Sequence, residues 1–150
     1  LVIENRKICG ILTEMSLEKG FVDYAVIGIG INCLQKEADF PSEISQIATS
    51  LSTAARKTIL PERLAAAMVE SLWNLSNTLF TRKSQIMDRY RENCITIGQE
   101  ISLVRVGEEV RHGRAVDMDD EGALIVEFAD GHREAVNSGE VSVRGMYGYV

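Results

Sequence analysis

The spacing of apolar residues along this chain changes twice, and each change marks a change of predicted structure. Leu1 to Glu4 is a short apolar run, Asn5-Arg6-Lys7 has turn chemistry, and Ile8 to Met15 resumes an extended pattern, which predicts a β-hairpin. Gly20 turns the chain into a further strand from Tyr24 to Cys33, so the first third is expected to be a three-stranded antiparallel meander. Its strands are apolar on both faces, which implies that helices cover one side. Phe40-Pro41-Ser42-Glu43 reads as the start of a short helix with Pro41 near the first turn.

From Leu60 the period becomes helical. Pro61 stands where a helix begins, and Leu64, Met68, Leu72, Leu75 and Leu79 follow as one apolar stripe with Trp73 at its margin, expected to be half-buried. A second helix is expected to carry Ile86, Tyr90 and Cys94 at four-residue spacing. Gly98 ends the helical part. Five short extended segments follow, Ile101 to Val106, Val110 to Asp117, Ala123 to Phe128, Arg133 to Val136 and Val141 to Val143, separated by Gly107, Gly122, Gly131 and Gly139. That many glycine-punctuated strands in so short a stretch predict a small SH3-like β-barrel. The expected fold class is therefore α+β: antiparallel strands with packed helices over residues 1–97, then a barrel over 98–150.

Charge follows the same boundary. Residues 1–97 carry 11 Lys+Arg and 11 Asp+Glu, whereas residues 98–150 carry 5 and 11, so the net charge of −6 belongs entirely to the last third. An acidic balance of this kind argues against a nucleic-acid partner, because duplex binding rests on clustered Lys and Arg. No apolar run approaches the roughly 20 residues that a membrane-spanning helix needs, so no membrane association is expected. Cys9, Cys33 and Cys94 are widely spaced, odd in number and free of any C-x-x-C pattern, which fits reduced thiols in cytoplasm and no metal site.

Several sequence patterns suggest a ligand site and then fail. Asp117 to Gly122 spaces acidic residues ahead of a glycine as a calcium loop does, but Phe128 stands where the bidentate acid should be, so a solvated hairpin turn is expected. Gly28-Ile29-Gly30-Ile31-Asn32 lacks the third glycine and the following helix of a dinucleotide fingerprint. The same two glycines remain informative, because alternation along a strand leaves one face bare at Gly28 and Gly30. A bulge or the close approach of another backbone would explain that pattern, and so would a flat ligand. Lys7, in a tight turn beside Arg6 and ahead of Gly10, adds a point charge suited to a phosphate or carboxylate. Lys7, Gly10, Gly28 and Gly30 together suggest a shallow slot for a flat anionic small molecule.

Arg6-Lys7-Ile8-Cys9-Gly10-Ile11-Leu12-Thr13-Glu14, followed by Val26-Ile27-Gly28-Ile29-Gly30-Ile31-Asn32, closely resembles the biotin protein ligases, the biotin–acetyl-CoA-carboxylase ligases. Their pattern is R-K-(V/L/I)-(A/C)-G-I-L-x-E and then V-(I/V)-G-(I/A)-G-I-N. Phe40-Pro41, Ala48-Thr49-Ser50-Leu51, the Leu60 to Leu79 helix, Tyr90, Gly98, Asp117, Gly122-Ala123-Leu124 and Gly139-Glu140-Val141-Ser142-Val143-Arg144 fall in the family's order. The resemblance implies a biotin and lipoate ligase-like catalytic portion over 1–97 and the family's C-terminal barrel over 98–150.

It further implies ATP-dependent activation of biotin to biotinoyl-AMP, with Mg as the ATP counter-ion, and transfer to a lysine of the biotin carboxyl carrier protein of acetyl-CoA carboxylase. By that resemblance Lys7 is the catalytic cation at the carboxylate and α-phosphate, and Gly10, Gly28 and Gly30 form the floor on which biotin lies. Asn32 is then a polar residue close to the adenylate, and Arg144 faces the nucleotide side. The family's Gly- and Arg-rich loop and its K-W-P-N-D segment do not occur in the sequence. With Leu1 inside an apolar stretch and no initial methionine, the chain is expected to be the second half of a ligase core plus its barrel, weakly active or inactive by itself. An exposed sheet edge could pair two copies as a homodimer. A non-catalytic partner-binding module and a lipoate-ligase relative are the alternatives, and the Gly139 to Arg144 block speaks against the latter.

Overall fold

The computed structural model describes residues 1–104, 107–137 and 142–144. The chain forms two compact units, Leu1–Glu70 and Ser71–Val150.

In the first unit, β1 (Val2–Ile3) and β2 (Arg6–Lys7) pair across Glu4 and Asn5. Both turn residues have positive φ, +48° and +61°, the conformation whose twist matches a two-residue hairpin. The turn therefore lies one step earlier than Asn5-Arg6-Lys7 predicts, and Lys7 sits in a strand. β3 (Cys9–Glu18) and β4 (Phe21–Ile31) form a longer hairpin closed by Lys19 and Gly20, again both at positive φ. The expected three-stranded meander is thus two separate two-stranded sheets. Leu12, Met15, Leu17, Val22, Tyr24, Val26 and Ile27 are all more than half exposed, so the expected helical cover over this hairpin is not supplied among the described residues.

After β4 the chain passes through a single 3-10 turn at Glu37–Asp39, where a helix from Phe40 was expected. It reaches α1 (Leu51–Ala55), whose N-terminus is capped by the Ser50 hydroxyl accepting from the Thr53 amide. α2 (Pro61–Thr78) starts at the expected proline. Leu64 and Met68 on its stripe are half-buried, whereas Leu72, Leu75 and Leu79 are exposed, and so is Trp73.

In the second unit, α3 (Lys83–Asn93) precedes the strands β5 (Glu100–Val104), β6 (Arg111–Met118), β7 (Leu124–Glu127), β8 (Arg133–Val136) and β9 (Ser142–Arg144). They form one antiparallel sheet in the order β8-β7-β6-β5-β9, so β9 returns to pair beside β5, as expected of an SH3-like barrel. Of the predicted strand ends, Arg105, Val106 and Val141 lie outside the described residues, as do Gly139 and Glu140. The core is Ile101, Leu103, Ala115, Met118, Leu124, Val126 and Val136. Alternation carries β6 inward at Gly113 and Ala115; a bulge between Ala115 and Asp117 then shifts the phase by one, so Met118 faces the core and Asp117 faces water.

Met87, Cys94 and Ile97 pack on that core, which explains why α3 belongs to the unit of the barrel. The buried face of α3 is offset by one residue from the predicted Ile86–Tyr90 stripe, and Tyr90 is exposed. Arg91 lies on the packed side and acts as a latch. Its Nε donates to the Met118 carbonyl at 2.7 Å, and its remaining nitrogens reach Asp88 at 2.9 Å and Asp120. The hydrogen bond to Asp120 holds the guanidinium pKa above its ordinary range against the opposing effect of desolvation, with the charges of Asp120, Asp117 and Asp88 adding to the rise. The acidic loop is a hairpin turn, as expected. Asp119 accepts from the amides of Glu121 and Ala123 at 2.9 and 2.8 Å, and Gly122 takes a φ of +88°.

Gly113 is needed for close approach: a Cβ there would lie 2.7 Å from Val126 Cγ1 and 2.9 Å from the Glu127 carbonyl oxygen. Gly113→Ala is expected to lower the unfolding free energy of the barrel by about 1–3 kcal/mol, the usual range for overpacking, in a urea titration followed by circular dichroism. Arg91→Gln is expected to lower the melting temperature and to shrink its dependence on salt, since the latch pairs a half-buried cation with the exposed carboxylates of Asp88 and Asp120.

Candidate functional site

The site grows from the end of β2. The Lys7 amide donates to the Ile47 carbonyl at 2.8 Å, and the Thr49 amide donates to the Lys7 carbonyl at 2.9 Å, so Lys7 bridges to Ala48 as a one-residue parallel ladder. These bonds are sheltered, since Ile8, Ala48, Thr49 and Ser50 are all buried. Sheltered backbone bonds hold the Cα of Lys7, and hence the root of its side chain, in one place. Lys7 Cε and Nζ then extend over Gly10, each 3.9 Å from where a Cβ on that glycine would stand.

Gly10 pairs directly with Gly30, and Leu12 pairs with Gly28. Alternation puts Gly10, Leu12, Gly28 and Gly30 on one face of the hairpin, a bare floor beneath the lysine bounded by Leu12. None of the three glycines takes a positive φ. A Cβ on Gly28 would meet the Leu12 carbonyl oxygen at 3.6 Å, and one on Gly30 would meet the Gly10 carbonyl oxygen at 4.0 Å, both ordinary contacts. Neither backbone conformation nor the packing of the described residues therefore demands glycine at these positions. Among the described residues neither a bulge nor a close backbone approach occurs at these glycines, and the face is bare there. An open apolar floor with one cation at its edge can receive a flat ring system that carries an anionic group.

Asn32 follows β4 and is tied into the same structure. Its amide donates to the Ile8 carbonyl at 2.8 Å, its carbonyl accepts from the Leu51 amide at 2.9 Å, and Nδ2 donates to the carbonyls of Thr49 at 3.1 Å and Lys7 at 3.4 Å. Arg144 is carried by the second unit, its backbone opposite Ser102. The fold thus brings together Lys7, Gly10, Gly30 and Asn32, with Gly28 one step along the same face.

Sequence reasoning about the site missed Thr49, which is 2% exposed and whose hydroxyl has no hydrogen-bond partner among the described residues. It also missed the cap and tether at Ser50, which donates to the Gln35 carbonyl at 2.6 Å. The only local signal was the pair of small polar residues ahead of Leu51, a helix-start pattern. No group of three or more His, Cys, Asp or Glu that could hold a metal ion occurs among the described residues.

Residues 96–144 match the family described as biotin protein ligase C terminal domain. Over 135 residues, 87% of the chain, it is 33% identical to a bifunctional ligase/repressor BirA from Bacillus subtilis. It is 28% identical over 141 residues to a biotin–[acetyl-CoA-carboxylase] ligase from Mycobacterium tuberculosis. The chain spans 40% of the length of the first relative and 47% of the second. Among solved structures, a biotin protein ligase from Aquifex aeolicus superposes on 96% of the chain with a TM-score of 0.79 at 24% identity, and covers 61% of that protein. A structure of the Aquifex protein in complex with biotin and ATP superposes on 96% of the chain, and on 58% of its own, with a TM-score of 0.70 at 26% identity. The resemblance to biotin protein ligases therefore extends over most of the chain, in sequence as well as in fold.

Because the floor is open and unstrained, Gly30→Ala is expected to fold normally and to keep or raise the unfolding free energy, by up to about 1 kcal/mol through a less flexible unfolded chain. Chemical denaturation of the variant beside the wild type measures this, and a loss of stability would mean that the space above Gly30 is already filled.

Proposed function

We propose that this chain is the C-terminal portion of a biotin protein ligase, in which residues 1–97 supply the floor and cationic edge of the biotin-activating site and residues 98–150 supply the C-terminal barrel. The observation that carries this reading is the set of three glycines on one face of the hairpin, bare among the described residues, with Lys7 over Gly10. Biotin is a compact fused-ring molecule with an anionic carboxylate on a short tail, which is the shape and charge that such a floor can hold.

In the first reaction a carboxylate oxygen of biotin attacks the α-phosphorus of ATP, the bond to the β-phosphate oxygen breaks, and pyrophosphate leaves with its magnesium counter-ion. Two anions must meet for this to occur. A fixed ammonium at the point of approach lowers the barrier because it is already oriented and need not be drawn in from solvent. Lys7 fills that role, as a point charge suited to a carboxylate and a phosphate. In the second reaction an uncharged lysine amine of the biotin carboxyl carrier domain attacks the acyl carbon, AMP departs, and the amine loses its proton to leave an amide.

The unpaired cysteines, Cys9 buried and Cys33 and Cys94 half-buried, support a cytoplasmic setting. The apolar, exposed β3–β4 hairpin supports association of two copies along a sheet edge. Sedimentation of the chain is expected to show dimers that dissociate when Val22 and Tyr24 are both changed to Lys.

Calorimetry with biotinoyl-AMP tests the central claim. Lys7→Met is expected to weaken binding roughly ten- to a hundredfold, the usual cost of a lost charge-assisted contact, and Gly30→Val is expected to abolish the heat. Wild-type affinity in both variants would refute the assignment.

A further inference from the structure

We propose that Asn32 is a positioning residue for Lys7. Its carboxamide holds the Lys7 strand against residues 47–51 and so sets where the ammonium stands over Gly10. This rests on the reading of Lys7 as the site's cation, and it gives Asn32 a task other than contact with the adenylate.

The orientation of the carboxamide follows from its neighbours. Both atoms that it meets are main-chain carbonyl oxygens, of Thr49 at 3.1 Å and Lys7 at 3.4 Å, so the group facing them must be the NH2, and its two protons serve the two carbonyls. The Asn32 backbone adds a bond to Ile8 and one from Leu51. One residue therefore joins β2, the end of β4 and the start of α1.

The Lys7 carbonyl receives two donors, the Thr49 amide at 2.9 Å and Asn32 Nδ2, and the Lys7 amide is held by Ile47. With the buried Ile8, Ala48 and Thr49 around them, these bonds compete little with water. Removal of the carboxamide leaves the Thr49 carbonyl without its side-chain donor and frees the Lys7 strand to shift against Ala48. The ammonium lies at the end of a four-carbon stem, so a small change at its root moves it off the floor. An aspartate in the same place would set a carboxylate against two carbonyl oxygens, which repel it.

The test is a double-mutant cycle in the affinity of the chain for a non-hydrolysable biotinoyl-adenylate analogue, comparing wild type, Lys7→Met, Asn32→Leu and the double variant. Asn32→Leu is expected to weaken binding about tenfold, and the double variant is expected to bind no more than about twofold weaker than Lys7→Met alone, because Asn32 acts through Lys7. Losses that multiply in the double variant would overturn the proposal and make Asn32 an independent contact. Wild-type affinity in Lys7→Met would instead overturn the function assigned to the site.

A ligand-free readout stands beside it, hydrogen exchange in the isosteric Asn32→Asp chain. The amides of Lys7 and Thr49 are expected to exchange at least about tenfold faster, while that of Ala115 in the barrel stays as in the wild type. Unchanged exchange at Lys7 and Thr49 would also overturn the proposal.

Discussion

The first unit depends on the main-chain bonds at Lys7, where the amide meets the Ile47 carbonyl and the carbonyl meets the Thr49 amide. Two hairpins with largely exposed side chains have little apolar burial to hold them, and paired strands alone are marginal in water. The ladder at Lys7 joins them to the segment that caps α1 through Ser50, and it lies among the few buried residues of the unit. Position of the lysine and integrity of the unit are thus one constraint, because the same bonds serve both.

The glycines divide into two kinds by what surrounds them. At Gly113 the protein itself fills the space, since Val126 and Glu127 press against the missing side chain. At Gly10, Gly28 and Gly30 nothing among the described residues comes closer than an ordinary contact, and no positive φ requires glycine. The first kind is explained by packing. The second leaves one face of the hairpin bare, with Lys7 over Gly10.

The barrel is held by different means. Its core is a closed set of alternating apolar residues, and α3 is fixed to it by Met87 and Cys94 together with Arg91, whose charge is satisfied by Asp88, Asp120 and the Met118 carbonyl. The acidic run from Asp117 to Glu121 therefore has work inside the fold: Asp119 shapes the turn, Asp120 holds the helix latch, and Glu121 meets Lys83 at 2.5 Å. Its negative charge needs no metal to account for it.

By itself the sequence determined the start of α2 at Pro61, the change from helix to strand near Gly98 and the strand content of the barrel, because period and turn chemistry are local properties of the chain. It also brought Lys7 and the glycines together through two motifs some 20 residues apart that a hairpin must place side by side. Tertiary structure decided what local pattern cannot encode. The two hairpins meet at Ile8, whose amide donates to the Leu1 carbonyl while its carbonyl accepts from the Asn32 amide, and the buried face of α3 turns one residue because the barrel core and Arg91 select it. Asn32, legible only as a polar residue after a strand, became a clamp because two carbonyls distant in sequence converge on its amide, and such convergence is a property of the folded chain alone.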